Sequence, residues 1–181
     1  MLQPTAIAEE VRYSFAGMRQ RHFGTLARTR LHFDPRAQEE AGLVVIQKDT
    51  AANVFTLARS RQGGALLRLS WFGDEGQREI VSTPLAAQAG GRPLELRVLA
   101  QDVCYALEYS LDGRTWRRAG PSVDGERPSP SVLEGFDCTG VFIGLYAWSN
   151  GGASGRFADF EGFEMTPATA PATRCGPVTR R

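Results

Sequence analysis

The chain has three cysteines, two histidines and one lysine in 181 residues, and each scarcity removes a class of chemistry. Cys104, Cys138 and Cys175 show no CxxC spacing and no Cys-x-His pairing, so no zinc motif is present. Their odd number argues against a disulfide framework. Cys104 falls in a strand-like run, as a small buried hydrophobe does, Cys138 falls on a loop and Cys175 in the C-terminal tail. With only His22 and His32, a histidine-activated nucleophile has few places to be. Lys48 is the only lysine, the remaining positive charges are scattered arginines, and the formal net charge is +1. Such a balance makes no global field for nucleic acid. No apolar stretch approaches membrane-spanning length. The opening MLQPTAIAEEVR has neither the basic start nor the apolar core of a signal peptide. These absences predict no nucleic-acid partner, no membrane partner, and a reducing, cytoplasmic location. GxSxG, P-loop, dinucleotide-binding and metalloprotease motifs are all missing, and no catalytic residue is assigned.

What the chain does have is period-two alternation. In LARTRLHF, Ala27, Thr29, Leu31 and Phe33 share one strand face and Arg28, Arg30 and His32 the other. LLRLSWF and PLELRVLA alternate in the same way. The runs Val44–Ile46 and Val54–Ala58, separated by a polar break at 47–53, predict a hairpin that walls a sandwich. VCYALEYS and TWRRAG, joined by LDGR, predict another, with Asp112-Gly113 at the turn. VFIGLYAWSN and GRFADFEGFEM follow, separated by a glycine-rich turn. Apart from a short amphipathic hint at Ile7–Val11, no window carries a helical period. Many short strands punctuated by Gly, Asp and Pro predict an all-β, antiparallel sandwich or barrel. The Ala/Pro/Thr-rich residues 166–181 read as a disordered tail.

Several stretches in this order carry a family pattern: MRQRHF (18–23), LHFDP (31–35), EEAGLVVIQ (39–47), LELRVLAQDVCYALEYSLDGRTW (94–116), VDGERPSPSVLEGFDCTGVFIGLYAWSNG (123–151) and ADFEGFEM (158–165). Together they resemble the C-terminal concanavalin-A-like β-sandwich, a jelly roll, of glycoside hydrolase family 43 β-xylosidases and arabinofuranosidases. The resemblance covers residues 18–165; residues 1–17 match poorly, the family's opening strands before RQRHF are expected to be missing, and EVRYSFAG (10–17) reads as a divergent remnant of them. It implies an accessory domain that packs on a five-bladed catalytic β-propeller, helps close its sugar pocket and is inactive alone. In some members it also builds the oligomer.

Phe136, in GFDCTGVF, matches the family aromatic that reaches the catalytic pocket, with Phe142 as the other candidate. The last-strand motif carries Asp159 and Glu161, two apart and on one face; the resemblance attaches an acidic residue here to a structural calcium ion, with Glu161 standing where Asp is usual. No other cofactor is implied. Glu39 and Glu40 are adjacent, so on a strand they point to opposite faces and do not form a glycosidase pair. Trp148, Tyr146 and Phe142 share strand parity. That row supports a second function, a stand-alone carbohydrate-binding module in which Trp148 stacks on xylo-oligosaccharides. Trp116, just after the DG turn, is expected to pack across its hairpin, and His22 to position sheet or interface groups. A third reading is a structural interaction sandwich, since an uncovered sheet edge favours a partner or homo-oligomer.

Overall fold

The computed structural model describes residues 13–48, 51–73, 76–85, 92–102, 104–124 and 140–168. Those residues form twelve strands and no helix: β1 (Ser14–Arg19), β2 (Thr25–His32), β3 (Glu40–Lys48), β4 (Ala51–Arg59), β5 (Ala65–Gly73), β6 (Gly76–Pro84), β7 (Leu94–Gln101), β8 (Cys104–Ser110), β9 (Arg117–Arg118), β10 (Val123–Asp124), β11 (Phe142–Trp148) and β12 (Asp159–Pro167). One sheet has the order β1-β11-β3-β4-β5-β6. The other runs β10-β8-β7-β2-β12, with β9 also paired to β8. All pairings are antiparallel. The fold is all-β, as the alternation predicts, and it is the sandwich that the family resemblance implies rather than a barrel.

Between the sheets lies the main core. Leu43, Phe55, Leu69 and Ile143 come from the first sheet and Leu31, Leu96, Val98 and Leu107 from the second, all buried. The second sheet follows its sequence closely: Ala27, Thr29, Leu31 and Phe33 are buried while Arg28, Arg30 and His32 are exposed. In the first sheet β3 and β4 run further than expected. The polar break shrinks to the residues around 49–50, and Gln47 and Asn53 sit buried inside the strands. The reason is that these two strands are buried on both faces. The sheet's other face carries a second cluster of Val44, Ile46, Ala52, Val54, Tyr146 and Trp148, so β3 and β4 read as continuous apolar runs rather than alternating ones.

That second face is strongly concave. Trp148 stands opposite Glu40, whereas Phe72 stands opposite Ala52 and so opposite Ile46. On a flat sheet those two positions are separated by about 20 Å along the strands and about 14 Å across them. Their ring centroids are 5.4 Å apart; the sheet must curl for the rings to touch. The β8–β9 turn is built as the DG pair implies. Gly113 has φ of 71°, and the Asp112 carboxylate accepts from the backbone N–H groups of Arg114 and Thr115 and from the hydroxyls of Ser110 and Thr115. These donors hold its carboxyl well below the usual range.

The cysteine expectation is corrected at one point. Cys104 is buried at the start of β8, as a small hydrophobe would be, but it is disulfide-bonded. Three cysteines can still make one bridge with one left over. The other two cysteines lie outside the described residues. Adding dithiothreitol is expected to lower the thermal midpoint, by the equivalent of about 2–4 kcal/mol for a single bridge; a midpoint insensitive to reductant would show that the bond adds nothing to the fold.

Candidate functional site

The site residues named from the sequence fall in three places. Phe136 and Cys138 lie outside the described residues. The described residues on either side of that stretch, Asp124 and Gly140, are at the same end of the sandwich. Asp124 pairs with Cys104 at the start of β8, and Gly140 precedes β11 beside Arg19 at the end of β1.

Trp148, Tyr146 and Phe142 do share the concave face, as their parity requires, but their rings are engaged. Trp148 is 9% exposed and meets Phe72 edge-on at 63°. Tyr146 is 2% exposed and tilts against Tyr13 at 5.3 Å. Arg19 sits over Phe142, 5.5 Å from its centroid. Stacking on a sugar needs an open ring face, and here the Trp148 ring is packed into the second apolar cluster. Trp116 packs beyond its own hairpin, with the Arg97 guanidinium 3.9 Å from its ring centroid.

On this concave face the sequence missed a polar centre. Glu40 is wholly buried, with its carboxylate accepting from the Thr56 hydroxyl at 3.0 Å, from Arg68 at 3.3 Å and from Gln77 at 3.5 Å. Burial pushes its carboxyl above the ordinary value, against the opposing pull of Arg68. The Ser70 and Tyr146 hydroxyls on the same face are buried and have no hydrogen-bond partner among the described residues. Nothing local in EEAGLVV signals this, because the three partners of Glu40 come from β4, β5 and β6. Its neighbour Glu39 has a separate task. It accepts from the Arg36 backbone N–H at 2.8 Å and from the Ser154 hydroxyl at 2.6 Å, tying the approach to β3 to the loop before β12.

Asp159 and Glu161 share the outer face of the second sheet, opposite His32 and Arg30 respectively. The Glu161 carboxylate is 3.2 Å from the His32 ring nitrogen and 3.3 Å from Arg30, and these contacts draw its pKa down, the His32 hydrogen bond most. Arg30 is also bound to Glu95 at 2.7 Å. A calcium ion collects six to eight oxygens; here a guanidinium and an imidazole occupy the acidic group instead. Among the described residues, no three His, Cys, Asp or Glu side chains converge to hold a metal. The surroundings of Glu161 are those of a solvated ion-pair ladder, which also includes Arg28–Glu164 and Arg97–Glu108.

His22 lies on the turn between β1 and β2. Its carbonyl accepts from Gln20 Nε2 at 2.9 Å and from the Thr25 hydroxyl at 2.8 Å. Its side chain borders an open cleft of about 450 Å³ with Met18, Arg19, Arg21, Met165 and Pro167. The sequence placed His22 in a family motif but gave no sign of this cleft, whose walls come from opposite ends of the chain.

Two antiparallel sheets, one of them concave, make this a concanavalin A-like sandwich, in which Glu40 and Glu161 are engaged in ion pairs and Asp112 in a turn. The model of the β-xylosidase C-terminal concanavalin A-like domain matches residues 1–166, and the chain belongs to that family. It is 31% identical over 154 residues to a non-reducing end α-L-arabinofuranosidase of Bacteroides ovatus, a match covering 84% of this chain and 27% of that protein. A putative β-xylosidase of Escherichia coli K12 is 26% identical over 157 residues, 85% of this chain and 29% of its own length. Among solved structures, the Bacteroides ovatus xyloglucan-locus GH43B superposes with a TM-score of 0.75 at 28% identity, over 86% of this chain and 29% of that one. The xylan β-1,4-xylosidase of Bacillus halodurans shares the fold with a TM-score of 0.79 at 21% identity, over 91% of this chain and 32% of its own. The chain therefore spans less than a third of the length of these relatives.

Proposed function

We propose that this sandwich serves as the accessory C-terminal domain of a β-xylosidase-type glycoside hydrolase. It packs on a five-bladed catalytic propeller and helps close a xylo-oligosaccharide pocket, and it has no hydrolytic activity alone. The observation that carries this reading is the family match over residues 1–166, combined with relatives in which the matched part is only 27–29% of the length. Within the reading, Phe136 is the ring that covers the sugar and keeps water from it. The purified chain is expected to leave an aryl β-xyloside intact. The catalytic domain carrying this sandwich is expected to lose roughly tenfold or more in kcat/KM on Phe136→Ala. Hydrolysis by the isolated chain at enzymatic rates would overturn the reading.

A further inference from the structure

The turn between β1 and β2 presents Phe23 with 80% of its surface exposed, the most exposed of the large apolar residues described. The turn is held from several sides. Gln20 Nε2 and the Thr25 hydroxyl both donate to the His22 carbonyl. Gln20 N–H donates to the Val141 carbonyl at 2.9 Å, and the Ala168 N–H donates to the Gly24 carbonyl at 3.1 Å. The Tyr105 hydroxyl, from the other sheet, donates to Gln20 Oε1 at 2.7 Å. Gly24 is needed for the close approach, since a Cβ there would lie 2.1 Å from the Ala168 carbonyl oxygen. Phe23 is thus displayed by a braced turn, and ordering it on binding costs little conformational entropy.

Beside it, Met18 is 43% exposed, and Met165 and Pro167 line the 450 Å³ cleft. The charges around this cleft differ from those on the outer face of the second sheet. Arginines on the outer face of the second sheet are each matched by a carboxylate: Arg28 by Glu164, Arg30 by Glu95 and Glu161, Arg97 by Glu108. Arg19, Arg21 and His22 make no ion pair with any described residue, and Arg19 rests on the Phe142 ring instead. An exposed aromatic on a rigid mount, an apolar floor and two arginines with no counter-charge among the described residues form a surface suited to an apolar socket edged by carboxylates.

The geometry points to this end of the sandwich, with Phe23 as its anchor, as the face that docks on the catalytic domain. The inference rests on the accessory-domain reading, and that reading supplies the occupant: the relatives devote about 70% of their length to polypeptide other than this fold, and the family is named for its C-terminal position. The stretch that holds Phe136 leaves and rejoins the described structure at this same end, through Asp124 and Gly140.

The test titrates this chain with the catalytic propeller domain encoded together with it, expressed as a separate polypeptide, in a calorimeter. Phe23→Ala is expected to weaken binding at least tenfold and Arg21→Glu several-fold, more so at low salt. Phe157→Ala, which removes a ring 50% exposed at the opposite end, is expected to bind as the wild type does. All three positions are exposed, and melting curves confirm folding. Wild-type binding that Phe23→Ala and Arg21→Glu leave unchanged, or that Phe157→Ala alone weakens, overturns this docking face and leaves the accessory-domain reading standing. No binding by the wild type overturns both.

Discussion

Replacing Glu40 with alanine is expected to destabilise the fold by about 3 kcal/mol or more, the scale for removing one partner of a buried ion pair. The carboxylate has no solvent exposure and holds three donors from three strands. Without it, Arg68 keeps only its contact with Glu79 at 3.2 Å, and the Thr56 hydroxyl is left buried with an unmade bond. Glu40→Gln keeps the shape and much of the hydrogen bonding while removing the charge, so it is expected to cost far less. The pair of variants also separates charge from packing through pH. Burial raises the folded carboxyl above its ordinary value of 4.5, so the folded state holds the proton more tightly than the unfolded chain. The resulting stabilisation is fully present below that value and is lost as pH rises through the folded pKa. Melts of wild type and Glu40→Gln between about pH 4 and 8 should therefore show the wild type losing ground as pH rises. Parallel curves would mean that the carboxyl is not displaced.

The other large effect is expected at Phe55, fully buried between the sheets. Phe55→Ala removes a ring from a close-packed core and leaves a cavity, a change that costs about 3–5 kcal/mol. Against the roughly 5–15 kcal/mol by which domains are stable, that is a large share. At this chain length it corresponds to a drop of about 10 °C or more in the melting temperature. Ile80→Ala, at a side chain 37% exposed on the edge strand β6, is expected to change stability by about 0.5 kcal/mol or less. Equal effects at the two positions, read by chemical denaturation, would show that the inter-sheet core does not carry the fold.

How far the sequence can be read depends on how far apart the interacting residues lie. The alternation in LARTRLHF and PLELRVLA gave the right faces because β2 and β7 are buried on one side only. β3 and β4 defeated the same reasoning at Gln47 and Asn53, since a strand covered on both faces has no polar side to show. Trp148 and Tyr146 were correctly assigned to one face. That Trp148 meets Phe72 depends on the curl of the sheet, a property of all its strands at once. Glu40 was passed over because its partners are sixteen, twenty-eight and thirty-seven residues away. The family motifs identified the relatives without locating Phe23, whose significance comes from the missing counter-charges around it.

The pairing of β1 with β11 and of β2 with β12 has a consequence for the growing chain on the ribosome. These ladders join residues more than a hundred positions apart, such as Gly17 with Gly144 and Arg28 with Glu164, so β1 cannot be seated, nor β2 gain its second neighbour beside β7, until nearly the whole sandwich has been synthesised. Such long-range closure is slow. Until it happens, the apolar β3–β4 hairpin waits with one neighbour missing, open to pairing with other nascent chains. The yield of folded protein should therefore depend more on synthesis temperature and chaperone supply than the final stability of the sandwich would suggest.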